Sequence, residues 1–190
     1  CIACWQGHLE CVRLLLEAGA ASDQADEDGI TPLFIACEKG HVECAQLLLE
    51  AGAAVGQADA EGVTPLSIAS QTGKVDCVRL MIAAGAAVNQ ADSEGFTPLY
   101  AACQEGCVEC ARLLRDAGAS VDQAAEDGST PLCIACLQGH VEIVRLLLEA
   151  GAAMDQAPNH STTPLLVACQ EGHLECARLL LETGAAIGQA

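Results

Sequence analysis

Residues 26–58 read DEDGITPLFIACEKGHVECAQLLLEAGAAVGQA, and the chain returns to this pattern every 33 residues. The most regular part of the pattern is a Thr-Pro-Leu triplet, which begins at residues 31, 64, 97, 130 and 163. A Gly-Ala pair follows every triplet at a constant distance. Self-similarity at one fixed period is the signature of a repeat architecture, so the fold must be sought in the single unit and its stacking.

Each unit predicts two helices and a turn. Thr31 is a candidate N-cap, Pro32 suits the first helical position, and Gly40 can adopt the left-handed conformation that ends a helix. A second helix is predicted over about residues 42–51, where apolar residues recur at helical spacing. The acidic run before the triplet, residues 26–29, is typical of a turn or hairpin tip.

The repeats are expected to form one domain. A unit of 33 residues is below the size of roughly 40 residues at which a chain usually folds unaided, so its stability must come from stacking on its neighbours. We therefore predict a single array over residues 1–190, with a partial repeat at 1–25 and full repeats at 26–58, 59–91, 92–124, 125–157 and 158–190.

The repeated elements resemble the ankyrin repeat family over the whole chain: Thr-Pro-Leu, an Ala-Cys or Ala-Ser pair, Gly-His, a Leu-rich run and Gly-Ala. The resemblance implies an all-α solenoid of helix-turn-helix units with short β-hairpin turns. Tetratricopeptide and HEAT units also pair helices, but they have other periods. The family usually has His after the triplet, where this chain has Phe34, Ser67, Tyr100, Cys133 and Leu166. The tip at residues 158–161 also departs from the acidic pattern.

Charge narrows the classes of partner. The net charge is -18, with only eight Lys and Arg residues, so nucleic acid would be repelled. The longest apolar or glycine run, residues 80–88, is too short to cross a bilayer. No motif for a catalytic nucleophile, a phosphate-binding loop or a metalloprotease is present, so we predict that the chain is not an enzyme and needs no cofactor.

Ten of the thirteen cysteines fall on two positions of the repeat. They are Cys4, Cys37, Cys103, Cys136 and Cys169 on the first helix, and Cys11, Cys44, Cys77, Cys110 and Cys176 on the second. Equivalent residues of adjacent units are too far apart for a disulfide ladder. We predict small core side chains, no metal site, and a reducing compartment, the cytoplasm or nucleus. Histidines that follow the inter-helix glycine are predicted to cap helices.

The positions that vary between repeats predict a binding surface. They recur at a spacing of four along the hairpin arm and the first helix, which keeps them on one face. All four aromatic residues lie at these positions, and aromatic side chains are favoured interface anchors. In the ankyrin family this face is the concave one. The predicted partner-binding residues are Trp5, Ile30, Phe34, Glu38, Val63, Phe96, Tyr100, Gln104, Leu137 and Leu166.

The leading hypothesis is therefore a scaffold that binds a partner protein or peptide along the concave face. The acidic tips favour a basic partner, although they also fit a surface that only maintains solubility. The alternative is a structural spacer within a longer repeat protein, with no ligand of its own. Because neither end shows the polar face of a capping repeat, end-to-end self-association is also predicted.

Overall fold

The computed structural model describes residues 2–155 and 163–186. Within these ranges the chain forms twelve α-helices and no strand. First and second helices of the repeats alternate along the chain. They are α1 Ile2–Trp5, α2 Leu9–Glu17, α3 Pro32–Lys39, α4 Val42–Glu50, α5 Pro65–Gln71, α6 Val75–Ala83, α7 Pro98–Gln104, α8 Val108–Asp116, α9 Pro131–Gln138, α10 Val141–Glu149, α11 Pro164–Gln170 and α12 Leu174–Thr183.

The first helix of each full repeat begins as the sequence predicts. The Thr31 hydroxyl accepts a hydrogen bond from the Phe34 N–H at 3.1 Å, and Pro32 occupies the first helical position. The helix ends at Gly40, whose φ of 80° is left-handed. The same cap recurs at Thr64, Thr97, Thr130 and Thr163. Local chemistry therefore fixes the entry into every first helix.

The histidines cap helices as predicted, but they cap the end of the preceding repeat's first helix and not the helix that they precede. The His41 side chain makes no capping bond to α4, and its Nε2 instead donates to the Trp5 carbonyl of the preceding repeat at 3.2 Å. The same bond recurs in two later repeats, from His140 to Gln104 at 3.1 Å and from His173 to Leu137 at 3.0 Å. Each ring therefore links two repeats through an otherwise open helix-end carbonyl.

The acidic runs form turns, as predicted. Asp26 Oδ1 accepts from the N–H groups of Asp28 at 3.1 Å and Ile30 at 2.9 Å, which closes the tip. The Asp28 carbonyl accepts from the Ala60 N–H of the next tip at 2.9 Å. Later tips are joined alike, by Ser93 N–H to the Glu61 carbonyl and Glu126 N–H to the Glu94 carbonyl. The predicted departure at residues 158–161 lies outside the described residues.

The core is a stack of aliphatic and small side chains between repeats. The triplet leucines Leu33, Leu66, Leu99 and Leu132 are fully buried. In the second helices Leu48, Met81, Leu114, Leu147 and Leu180 form a second buried row. The buried side chains of the described residues form one continuous hydrophobic cluster.

None of the helices in residues 2–155 and 163–186 is long and apolar enough to cross a bilayer.

Candidate partner-binding surface

The candidate residues lie on the side of the array built from the turns and first helices. Contacts between successive first helices are more extensive than contacts between successive second helices. The side built from the turns and first helices is therefore the more closely packed one. We call it the first-helix face; it comprises α1, α3, α5, α7, α9 and α11 with the turn arms that precede them.

The four aromatic rings differ in depth. Phe34 and Tyr100 are only 6% and 4% exposed, so they form the wall of the face and offer a partner little surface. Phe96 is half-buried, and Trp5 is 51% exposed at the end of α1. The use of these rings as anchors stays a prediction, and the accessible surface favours Phe96 and Trp5 for that role.

Phe96 and Tyr100 form a stacked pair that joins a turn arm to the first turn of α7. Their ring centroids are 4.6 Å apart and their planes differ by 16°. The Tyr100 hydroxyl donates to Ser129 Oγ of the next repeat at 3.3 Å. Burial raises the pKa of Tyr100, against a smaller opposing effect of the Ser129 hydrogen bond, so the phenol stays protonated at neutral pH.

A cavity of about 100 Å³ opens where α5 and α7 meet. It brings together four of the predicted residues: Val63, Phe96, Tyr100 and Gln104. Ser67, Gln71, Asp92 and Ala101 complete its lining. Asp92 was not among the predicted residues, because it belongs to the acidic turns, whose carboxylates also fit a surface that only maintains solubility.

The other predicted residues are distributed along the face. Trp5 lies beneath the Lys39 ammonium, 3.6 Å from the ring centroid, and Lys39 is paired with Glu38 at 2.8 Å. Leu137 and Leu166 are 41% and 40% exposed toward the other end. Ile30 lines a separate cavity of about 410 Å³ between the first two repeats. The predicted set is therefore a long track rather than one compact site.

The turn side of the molecule is acidic from the tip at residues 26–29 to the tip at residues 125–128. Its carboxylates come from Asp26, Glu27, Asp28, Asp59, Glu61, Asp92, Glu94, Glu126 and Asp127. All six arginines lie on second helices, away from the tips. Four of them form the predicted pairs with a glutamate three residues earlier, for example Arg178 with Glu175 at 3.4 Å. The face therefore presents negative charge with few compensating cations.

The cysteines behave as core residues. The eleven described cysteines other than Cys4 are free thiols, and most are buried. First-helix thiols lie against second-helix thiols of the next repeat, as the hydrogen-bonded pair Cys37 and Cys77 shows. This contact and burial raise the pKa of Cys37 well above its ordinary value. No group of three potential metal ligands occurs among the residues that the structure describes.

A family model of ankyrin repeats matches three times, over residues 1–59, 51–125 and 117–190. Among solved structures, the crystal structure of the human ASB11 ankyrin repeat domain matches with a TM-score of 0.90 at 33% sequence identity. The match covers 97% of this chain and 82% of that one. The comparison with curated proteins finds no match.

Proposed function

Because the chain belongs to the ankyrin repeat family, we propose that it is a scaffold that binds a partner protein or peptide along its first-helix face. Ankyrin repeats are in general protein-interaction modules. The observation that carries the proposal is the cavity between α5 and α7, where four residues chosen for their variation between repeats line one opening. Variable residues around an opening favour recognition over packing, since packing is repeated in every unit.

The charge of the face favours a basic segment in the partner. Nine carboxylates lie along the turns from Asp26 to Asp127, and the arginines lie on the opposite side. Such a separation steers a cationic partner toward the first-helix face and disfavours nucleic acid, whose phosphates would meet a net charge of -18. The free thiols fit a reducing compartment, such as the cytoplasm or nucleus.

The proposal is tested by placing a cation on each side of the array. Partners captured from the source cell by the wild-type chain would be compared with those captured by Gln71→Arg and Leu137→Arg, which alter exposed positions of the first-helix face. Gln46→Arg, at an exposed position of α4, is the matched control. We expect the first two variants to lose the partner and the control to keep it. If both face variants kept the partner and the control lost it, the binding surface would lie on the second helices.

A second candidate is end-to-end association of two copies. Cys11 and Cys169 are exposed, although the other thiols at their repeat positions are buried against a neighbouring repeat. Leu14 at one end and Leu174 at the other are also 65% and 66% exposed. These end faces resemble the surfaces that adjacent repeats bury against each other within the array. Light scattering across a wide concentration range checks this candidate: a mass that rises with concentration supports it, and a constant monomer mass excludes it.

A further inference from the structure

The cavity between α5 and α7 has a lining that favours one kind of side chain. Its volume of about 100 Å³ corresponds to roughly three water molecules at ~30 Å³ each. One planar side-chain end fits such a space, whereas a helix or an extended backbone does not. The wall combines the stacked rings of Phe96 and Tyr100 with the polar groups of Gln71, Asp92 and Gln104.

We propose that this cavity binds the guanidinium group of one arginine of the partner, stacked mainly on the half-buried Phe96 ring of the Phe96–Tyr100 pair and hydrogen-bonded to the surrounding oxygen atoms. The inference rests on the proposed function, since it assumes that a protein segment lies on the first-helix face. It adds to that function the identity of one recognised side chain.

The aromatic pair supplies the stacking surface. Phe96 is half-buried and both rings line the cavity, so a flat cation that enters contacts aromatic carbon. Guanidinium groups stack on aromatic rings because the π face is negative and the planar cation is weakly hydrated. The Tyr100 bond to Ser129 and the cap from Thr97 to the Tyr100 N–H hold this wall in place.

The polar lining offers a carboxylate and the side-chain oxygen atoms of two glutamines. Asp92 carries a negative charge and uses Oδ1 for its turn, where it accepts from the N–H groups of Glu94 and Phe96. Gln104 donates its Nε2 to Glu105, which leaves its Oε1 as an acceptor. Gln71 is exposed, and its side chain makes no hydrogen bond within residues 2–155 and 163–186. No Lys, Arg or His lines the cavity.

Competing side chains fit less well. A carboxylate would be repelled by Asp92, and an apolar side chain would desolvate that carboxylate without pairing it. A lysine ammonium would satisfy the charge, but it is a compact, strongly hydrated group that covers less of an aromatic surface. The arginine guanidinium has five N–H donors in one plane, which suits a wall made of aromatic rings and separate oxygen atoms.

The test uses a small probe and isosteric variants. N-acetyl-arginine methylamide would be titrated into the full chain while NMR follows the aromatic signals of Phe96 and Tyr100. N-acetyl-citrulline methylamide has the same shape without the charge, and N-acetyl-lysine methylamide has the charge without the plane. We expect the arginine probe to cause saturable shifts with a millimolar dissociation constant. The lysine probe should bind at least several-fold more weakly, and the citrulline probe should not bind.

Asp92→Asn is the decisive variant, because an asparagine oxygen keeps the turn bonds while the charge is removed. Asp59→Asn is its matched control, since Asp59 makes the same turn bonds in the preceding repeat and does not line this cavity. We expect Asp92→Asn to weaken the arginine probe about tenfold and Asp59→Asn to leave it unchanged. Equal effects of the two variants, or equal binding of the arginine and citrulline probes, would overturn the inference.

The outcome separates this site from the broader function. If Gln71→Arg and Leu137→Arg abolish partner capture while the arginine probe binds nowhere near Phe96, the face binds a partner and the arginine site is wrong. If the probe binds as expected but neither face variant affects capture, the cavity recognises arginine and the partner surface lies elsewhere.

Discussion

Two junctions between repeats differ in how many polar bonds cross them. In the described structure the junction of residues 92–124 with 125–157 has four such bonds, one of which is the Tyr100 hydroxyl bond to Ser129 Oγ. The His140 ring donates to the Gln104 carbonyl at 3.1 Å, and the Ala153 N–H donates to Asp122 Oδ1 at 2.8 Å. A tip bond completes the set, from the Glu126 N–H to the Glu94 carbonyl at 2.9 Å.

At the junction of residues 26–58 with 59–91 the described structure has one N–H to carbonyl bond, the tip bond from the Ala60 N–H to the Asp28 carbonyl. Only weak thiol bonds accompany it, from Cys77 Sγ to the Ala36 carbonyl at 4.0 Å and between Cys37 and Cys77. Lys74 stands where the other junction has histidine, and Gly56 stands where it has Asp122. The buried leucine rows are continuous through both junctions. Apolar stacking is thus common to the whole array, while polar links are added junction by junction. We expect local opening to begin between residues 58 and 59.

The largest expected effect comes from Gly106→Ala at the better-linked part of the array. Gly106 has a left-handed φ of +76°, and an added Cβ would lie 2.7 Å from the His140 ring. The variant should lose about 1–2 kcal/mol to backbone strain and a further ~1–2 kcal/mol as the ring moves and the Gln104 carbonyl loses its donor. Urea unfolding followed by circular dichroism measures the total.

Gly73→Ala is the control for this variant, because Gly73 is also left-handed at +68° but its neighbour is Cys107 Sγ at an ordinary 3.7 Å. It should cost only the backbone strain of about 1–2 kcal/mol. The difference between the two variants measures the histidine bond. Identical losses would show that this bond adds nothing to the junction.

The second-largest expected effect is a loss of stability at alkaline pH. Burial raises the pKa of Cys103 far above the thiol value of 9.0. The folded chain therefore holds this proton more tightly than the unfolded chain does, so its contribution is complete below pH 9 and is lost as the pH rises beyond it. From pH 7.5 to 10.5 one such thiol should cost about 2 kcal/mol.

Cys103→Ser isolates this thiol from other alkaline titrations. Serine is compatible with the site, since Ser70 occupies the same repeat position fully buried and donates to the Leu66 carbonyl at 2.7 Å. The variant should be less stable at neutral pH, by about 1 kcal/mol, and should lose less stability as the pH rises. Parallel pH profiles of the two proteins would exclude a raised Cys103 pKa. Cys37 contacts Cys77, which lies 40 residues later in the next repeat, and the residue 40 positions after Cys103 is Ile143. The Cys103 side chain therefore belongs to the better-linked junction, and its titration affects that junction.

A gain of stability is expected at the weaker junction from Gly56→Asp. Asp23, Asp122 and Asp155 at this repeat position each accept a bond from the N–H group 31 residues later. A Cβ on Gly56 would meet only the Gln90 side chain, at 3.8 Å. The new carboxylate should accept from the Ala87 N–H and stabilise the chain by about 1–2 kcal/mol, including the backbone gain. Gly56→Ala should gain about 0.5 kcal/mol, and equal gains would contradict the bond.

Sequence predicted the features that depend on neighbours within one unit. The Thr31 cap, the Pro32 start and the Gly40 stop each involve residues a few positions apart, and all three occur. The family, the fold class and the buried thiols also follow from the period. The histidine bonds could not be read in this way, because their carbonyl partners lie 36 residues away and any residue supplies a carbonyl.

The sequence predicted which positions form the candidate surface, but not how deeply each side chain is buried. Phe34 and Tyr100 share their repeat position with the exposed Leu166, which shows that the position itself does not fix exposure. Exposure there depends on cover by the neighbouring first helix, since the smaller Ser67 and Cys133 at the same position are also buried. The meeting of Val63 with Phe96 likewise depends on the stacking of two repeats, which no pattern within one repeat contains.

The smallest effect concerns an ion pair that crosses a junction. Arg79 is the arginine that departs from the predicted pairing, since it meets Glu109 of the next repeat at 4.0 Å rather than Asp76 of its own helix. Both side chains are more than half exposed, so Arg79→Ala should cost less than about 0.5 kcal/mol, and the cost should vanish at about 1 M salt. Arg178→Ala, which breaks an equally exposed pair within α12, should behave alike. A loss of more than about 1 kcal/mol that persists in salt for Arg79→Ala alone would show that charge pairs, and not only hydrogen bonds, distinguish one junction from another.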